Sequence, residues 1–398
     1  MSKIMAVNSG SSTLKWKLYT VPGEKVVAKG MVDRLGLSDS VFEVEFGGKK
    51  ISEMGDIPDH TTAVNKMLDK LIDLKIIDDY SEITGVGHRV VAGGSIFKDS
   101  AVVTPRVIQQ IKNLSEFAPL HNPGQAAGIE AFERILPDVP QVAVFDTSFH
   151  QTMDPVNYLY SIPYEYYEKY GVRKFGAHGT SHRYVSQAAA DYLHVPLNDL
   201  KIISCHLGSG SSIDAIEDGK SIDTSMGFTP LAGITMSTRS GDIDPSLVAY
   251  LMQKLKITDP SEMVKILNTK SGLLGISGVS PDMRDLLATR AENDRSDLAI
   301  KIFINRIVKY IGSYIAMLKG TDVIIFTAGV GAGNAEIRAD IANSFNYMGV
   351  KIDNERNENG TGTRLISTDD STVKVLVVPT DEELMIVRDV IRLTKYSD

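Results

Sequence analysis

A strand, a glycine- and serine-rich turn and a second strand occur twice in this chain, roughly half a chain apart. The first copy runs from Ile4-Met5-Ala6-Val7 through Asn8-Ser9-Gly10-Ser11-Ser12, and then alternates Leu14, Trp16 and Leu18 with Lys15, Lys17 and Tyr19. The second runs from Lys201-Ile202-Ile203-Ser204-Cys205 through His206-Leu207-Gly208-Ser209-Gly210-Ser211-Ser212 into Ile213-Asp214-Ala215-Ile216. Short apolar runs and a period of two predict strands. Recurrence of the whole unit predicts a duplicated domain, with a cleft between two similar halves. The 398 residues, 43% hydrophobic and 23% charged, are enough to bury the cores of two compact units.

Strands come first in each half and helices follow. Val26 to Val32 and the alternating Val41-Phe42-Glu43-Val44-Glu45-Phe46, ended by Gly47-Gly48, extend the first pair into an antiparallel meander. Val64, Met67, Leu68, Leu71 and Ile72 have helical spacing, and an apolar strand covers Ile83 to Val91. Beyond the second turn, helices are expected over Pro245 to Leu255, Pro281 to Ala291 and Arg295 to Leu318. A buried strand, Asp322 to Thr327, runs into glycines 329, 331 and 333 and a helix from Ala335 to Phe345. The last strand, Val373 to Val378, leads through Pro379-Thr380-Asp381 into a terminal helix that Asp381 can cap. No low-complexity linker separates the halves. The boundary is placed between Asp146 and Pro155, giving 1–147 with 383–398 as one domain and 148–382 as the other.

Charge narrows the function. A formal charge of -8 and a pI near 5.6 argue against nucleic-acid binding, which needs a basic face to displace counterions, so small anions require local basic sites. The single cysteine, Cys205, cannot form an internal disulfide and sits in an apolar run, which suits a buried thiol in a reducing compartment. The N-terminus lacks a secretory apolar segment and no stretch nears the ~20 apolar residues that span a bilayer, so a cytoplasmic, membrane-free protein is expected.

The turns at Ser9 to Ser12 and Gly208 to Ser212 can aim several backbone N–H groups at one anion, and facing each other they could grip a polyphosphate. Ordinary hairpin turns are an equally available reading. The glycines at 329, 331 and 333 form a further candidate, although they lack the full dinucleotide spacing, and no P-loop motif occurs. Arg89 ends an apolar strand and Arg239 lies in the turn-rich Thr238-Arg239-Ser240-Gly241-Asp242-Ile243-Asp244-Pro245, where a guanidinium can fork onto phosphate or carboxylate oxygens. Asp242 and Asp244 offer Arg239 a purely structural alternative.

Histidines occur in Ala118-Pro119-Leu120-His121-Asn122-Pro123, in Phe145-Asp146-Thr147-Ser148-Phe149-His150, and in Phe175-Gly176-Ala177-His178-Gly179-Thr180-Ser181-His182. His178 and His182 have the spacing of a zinc hydrolase, yet Gly179 stands where its glutamate belongs. Asp146 follows a strand, and Glu382 and Glu383 open the last helix. Such carboxylates suit magnesium, which prefers oxygen ligands and keeps several waters. Helix capping is the competing role for Glu382 and Glu383.

Taken together, these motifs resemble those of the acetate kinase family, within the acetate and sugar kinase, Hsp70 and actin superfamily. The resemblance runs from Val7-Asn8-Ser9-Gly10-Ser11-Ser12-Thr13-Leu14-Lys15 through the Asp146, His178 and His206-Leu207-Gly208 segments and the Arg239 loop to Pro379-Thr380-Asp381-Glu382-Glu383, covering essentially the full chain. It implies an α/β fold of two duplicated actin-like, ribonuclease H-like domains, each a mixed sheet flanked by helices, with the active site in the interdomain cleft. It also implies homodimers and magnesium-dependent, reversible phosphoryl transfer from ATP to acetate, with manganese able to replace magnesium and propionate as a possible second acceptor. The other readings are a butyrate or short-chain acyl kinase, and an actin- or Hsp70-like ATPase.

Carried over residue by residue, the resemblance assigns the metal to Asn8 and Glu382, the substrate carboxylate and transferring phosphoryl to Arg89 and Arg239, and the transition state to His178, with Asp146 beside the reacting groups. Val91, Leu120, Ala177 and Pro230 would wall the acyl pocket, with His121 a further cleft contact. Nucleotide contacts fall to Lys15, His206, Leu207, Gly208, Ser209 and Gly210, to Asp282, Met283 and Arg284, and to Gly329, Val330, Gly331, Ala332 and Gly333. The chain departs from the family at Ser209 (usually asparagine), Ala332-Gly333 (Glu-Asn), Ala92 (histidine) and Ala177 (phenylalanine). The last change removes a ring from the acyl pocket.

Overall fold

A computed structural model of the chain describes residues 2–119 and 121–394. It divides into two units: Met1–Ser148 with Asp381–Asp398, and Phe149–Thr380.

The first unit is built on strands β1 (Ser2–Ser9), β2 (Thr13–Val21), β3 (Val26–Asp33), β4 (Ser40–Phe46), β5 (Lys49–Gly55), β6 (Ile83–Val90), β7 (Ala101–Val102) and β8 (Gln141–Phe145). Their order in the sheet is β5-β4-β3-β2-β1-β6-β8-β7. The first four form the expected antiparallel meander, β5 extends it beyond the Gly47-Gly48 turn, β6 and β8 add in parallel, and β7 closes the edge antiparallel to β8. Ile4, Met5, Ala6 and Val7 are all buried, as a central strand covered on both faces requires. Met5 and Val7 face a core shared with Val64, Met67 and Phe132, from helices His60–Asp73 and Asn122–Ile135. Ile4 and Ala6 point the other way, toward Ile386, Val387 and Val390 of helix Glu382–Thr394.

Two glycines in β6 decide how that last helix lies. A Cβ on Gly85 would sit 2.6 Å from Val390 Cγ1, and one on Gly87 would collide with Ile386. Without side chains there, the helix presses onto the strand, and it runs antiparallel to it. Its first turn therefore arrives beside Arg89, at the carboxyl end of β6.

The second unit contains β9 (Ile202–Leu207), β10 (Ser211–Glu217), β11 (Lys220–Thr224), β12 (Val323–Thr327), β13 (Arg364–Leu365) and β14 (Lys374–Val377), ordered β11-β10-β9-β12-β14-β13. With β4 and β5 set aside, the two sheets share one plan. Three antiparallel strands are followed by two parallel ones, and a short edge strand, lying between those two in sequence, pairs antiparallel to the last. Helices Asp294–Leu318 and Ala335–Asn343 cover one face through Phe303, Ile307 and Ile341, and helix Gly179–Leu193 covers the other through Val185 and Ala189. Asn293 accepts the N–H groups of Arg295 and Ser296 at the start of the longest of these helices. Asp381 caps the terminal helix as expected, accepting from Leu384 N at 3.1 Å.

His88 on β6 is 2% exposed, with Nε2 2.7 Å from Gln141 Oε1 and its ring edge-on to Phe132. Burial pushes its pKa from 6.5 down to about 4, so the folded chain holds it neutral while the unfolded chain protonates first. The stability it supports is complete above pH 6.5 and is lost as the pH falls toward 4, by about 3 kcal/mol. Urea midpoints of the wild type and His88→Asn are expected to converge across that window. A difference that stays constant with pH would show that His88 does not titrate on unfolding.

Candidate active site

In the first unit, Asn8, Arg89 and Asp146 lie at the carboxyl ends of the neighbouring parallel strands β1, β6 and β8. Open α/β sheets place ligands at such strand ends. Asp146 is 1% exposed, and its backbone N–H bonds Val90 O at 2.9 Å. Arg89 grips it in a fork: Nη2 reaches Oδ2 at 2.7 Å and Nε lies 3.1 Å from each oxygen. The Asp146 charge first, then Glu382, hold the guanidinium firmly protonated.

Glu382 Oε2 stands 4.0 Å from Arg89 Nε. The neighbouring acids have other work. Asp381 caps the helix and accepts from Tyr19 Oη at 3.1 Å, while Glu383 pairs with Lys17 at 3.0 Å. Capping therefore explains Asp381 and not Glu382. Burial, then the charges of Asp146 and Glu383, push the Glu382 carboxyl up to about 7 against the pull of Arg89. Carboxylates crowded in this way, with the Asn8 amide at the next strand end, are a donor set that fits magnesium bound mainly through phosphate and water. Among the described residues no three His, Cys, Asp or Glu side chains converge as a metal cage.

The 9–12 turn is held from behind. His60 Nε2 bonds Gly10 O at 2.9 Å, and a Cβ on Gly124 would lie 2.8 Å from the Gly10 carbonyl, so helix Asn122–Ile135 backs directly onto the turn. The same helix orders the segment after Arg89. Gln125 Oε1 accepts from Val91 N at 3.0 Å, and Asn122 accepts from Ala92 N at 3.2 Å while donating to Ala92 O at 3.1 Å. Sequence reading passed over Asn122 and Gln125. Their signal was two amide side chains on either side of Pro123 in the first turn of a helix, a position that usually contains exposed polar residues. His121 precedes this helix, Lys15 lies on β2 opposite Asn8, and Leu120 is outside the described residues.

In the second unit, His178 adopts φ 61, a left-handed backbone, immediately before helix Gly179–Leu193. Gly176, at φ 75, packs where a Cβ would lie 2.7 Å from the His150 ring, and His150 Nε2 donates to Ala177 O at 3.0 Å. The His178 ring stacks on His206, centroids 4.1 Å apart, and its Nδ1 lies 2.9 Å from Ser212 Oγ. Ser181 Oγ joins His206 Nδ1 and Thr380 Oγ1, each at 2.8 Å.

Arg239 donates through Nη1 to Pro230 O at 3.3 Å and lies 3.8 Å from Met236 Sδ. The two aspartates that could have neutralised it are occupied. Asp242 accepts from Gly233 N and Tyr310 Oη, and Asp244 caps helix Pro245–Leu255. Among the described residues no carboxylate pairs with Arg239, and burial draws its pKa below the usual guanidinium value. A Cβ on Gly210 would stand 3.4 Å from both Arg239 Nη1 and His178 Nε2, so the glycine leaves room for a ligand beside these two nitrogens. Ala177 is buried in a small apolar group with Met226 and Met236.

A cavity of about 660 Å³ adjoins these groups, lined by Gly208, Ser209 and Gly210, by Arg239, by Asp282, Met283 and Arg284, and by Gly329, Val330 and Gly333. Its wall also includes Asn334, which sequence reading missed; the side chain caps the following helix by accepting from Ile337 N at 2.9 Å. Glycines 329, 331 and 333, the further candidate for anion binding, lie in helical backbone. Ala328–Gly333 is a short helix, and a Cβ on Gly329 or Gly333 would meet nothing within 4 Å, so neither glycine is demanded by packing.

Comparison with known proteins identifies the family. Residues 3–388 match the model of the acetokinase family. The acetate kinase 1 of Latilactobacillus sakei is 59% identical over 394 residues, covering 99% of this chain and 100% of that protein. The crystal structure of Porphyromonas gingivalis acetate kinase superimposes with a TM-score of 0.95 at 42% identity, over 99% of this chain and 100% of the other. A propionate kinase from Francisella tularensis gives 0.92 at 38% identity, with the same coverage of 99% and 100%. Motifs, duplicated topology and full-length similarity agree: this chain belongs to the acetokinase family.

Proposed function

We propose that this chain transfers the γ-phosphoryl group of ATP to acetate, reversibly, giving acetyl phosphate and ADP. The observation that carries the proposal is the pairing of Arg239, which no carboxylate among the described residues neutralises, with His178 around Gly210 at the edge of a cavity of about 660 Å³. Two cationic or N–H donors there can meet the negative charge that develops on equatorial oxygens during phosphoryl transfer. The acceptor carboxylate is ionised at neutral pH and attacks phosphorus in line, so no general base is needed. Arg89 holds an oxyanion of substrate or phosphoryl group, and Asp146 orients that guanidinium. Magnesium, held through Asn8 and Glu382, would supply countercharge to the β- and γ-phosphates.

A water-attacking ATPase would form no acyl phosphate. Trapping with hydroxylamine in the presence of ATP, magnesium and acetate is expected to give acetohydroxamate. ATP loss without hydroxamate would overturn the proposal.

The acyl pocket leads to a narrower expectation. Ala177 is 4% exposed against Met226 and Met236, so the space left by the missing ring is bounded by two flexible thioethers. Propionate should therefore be used well. Ala177→Phe is expected to cut kcat/KM for propionate relative to acetate by about tenfold, the usual worth of one methylene in an apolar pocket. An unchanged ratio would remove Ala177 from the acyl pocket.

A further inference from the structure

Four histidines of the second unit, His150, His178, His182 and His206, lie in a chain of ring contacts, and serine hydroxyls hydrogen-bond the ring nitrogens of the last three. Ser212 is the serine that touches two of them. Its Oγ is 2.9 Å from His178 Nδ1 and 2.7 Å from His182 Nε2. His182 in turn has Nδ1 2.9 Å from Ser204 Oγ. Ser204, Ser212 and His182 are all 0% exposed, so every hydrogen in this chain must find its acceptor within the protein.

That requirement selects one direction. Burial first, then the neighbouring imidazoles His150 and His206, push the His182 pKa well below 6.5, so its ring is neutral and carries one N–H. If that hydrogen were on Nδ1, it would occupy the Ser204 oxygen, and the Ser204 hydroxyl would face no acceptor among the described residues. With the hydrogen on Nε2, the chain closes. Ser204 donates to His182 Nδ1, His182 Nε2 donates to Ser212, and the Ser212 hydroxyl donates to His178 Nδ1. His178 then carries its proton on Nε2, the atom beside Gly210 and Arg239.

We propose that Ser212, oriented by His182, is a positioning residue for phosphoryl transfer, filling Nδ1 of His178 so that Nε2–H is presented to the transferring group. The inference rests on the phosphoryl-transfer reading above. Stacking on His206 sets the plane of the His178 ring, and Ser212 sets its rotation and tautomer within that plane. Without the serine hydroxyl the ring can turn about its own axis, and either nitrogen can carry the proton.

The test uses the full chain labelled with ¹⁵N-histidine, the His178 signals being identified by their loss in His178→Gln. In the resting wild type, Nδ1 should show the shift of an unprotonated acceptor and Nε2 that of a protonated nitrogen. Ser212→Ala should move both toward averaged values and lower kcat by about 10- to 100-fold, with KM for ATP and acetate changed by no more than about twofold. Ser212→Thr, which keeps the hydroxyl, should retain the wild-type nitrogen pattern and most of the rate.

A wild type that makes acyl phosphate but carries the His178 proton on Nδ1 overturns this inference alone. So does an active Ser212→Ala with unchanged kcat. Failure of the wild type to form acyl phosphate overturns the functional reading and takes this inference with it. Should the alanine variant not fold, the wild-type nitrogen pattern still decides the tautomer.

Discussion

Arg239→Ala is expected to lower kcat by about a thousandfold while ATP affinity changes only a few-fold. Among the described residues its guanidinium hydrogen-bonds a carbonyl and a thioether and no carboxylate, so little of its charge is neutralised at home. A partly buried guanidinium in that condition offers most of its field to whatever anion arrives, and the field matters most where charge develops during reaction. Nucleotide binding should survive because most of the cavity wall lies elsewhere, in the 208–210 turn, the 281–284 segment and the 329–334 segment. Arg239→Lys should recover only part of the rate, since an ammonium cannot reproduce the planar fork. Steady-state kinetics and equilibrium titration with ATP, both on folded protein, check the two halves of the expectation. Near-normal turnover in the alanine variant would remove Arg239 from the reaction.

The second large effect concerns Asp146. Asp146→Ala should reduce kcat by about a hundredfold, because it deprives Arg89 of all three bonds that set its direction. The more informative measurement is the double-variant cycle. If Asp146 acts only by orienting Arg89, Asp146→Ala combined with Arg89→Ala should be no worse than Arg89→Ala alone. If the two losses multiply, Asp146 has its own part in the chemistry, and the orienting role is wrong. Circular dichroism and urea midpoints are needed alongside, since an uncompensated Arg89 also costs stability.

Much of the fold could be read from the chain. The Val7–Ser12 and Leu207–Ser212 repeats announced a duplication, which in the structure extends to a sixth strand in each sheet. The edge strands β7 and β13 that complete this plan have two residues each, too short for any periodicity to register. Glycines 329, 331 and 333 were a candidate anion-binding segment because glycine permits the backbone angles one requires. They lie instead in the short helix Ala328–Gly333, which opens at a left-handed Ala328, φ 63, and ends at an extended Asn334. The candidate site divided in the same way. Residue types and motif spacing picked out Arg89, Asp146, His178, Arg239 and Glu382, but not their partners. Asp242 and Asp244 were the natural neutralisers of Arg239 by proximity along the chain, yet Gly233, Tyr310 and a helix end claim them instead.

By itself the sequence determined the local facts: where strands alternate, where glycine allows a turn, which loops carry guanidinium, imidazole and carboxylate groups, and which family shares their order. These depend on residues within a few positions of one another. Only the tertiary structure decided which acid of Asp381, Glu382 and Glu383 faces Arg89, that two bare glycines in β6 bring that helix there, and that Ser212 links His178 to His182. Such pairings join residues tens to hundreds of positions apart. They are selected by the demand that every buried hydrogen and charge find a partner, a condition of the packed molecule as a whole and not of any segment.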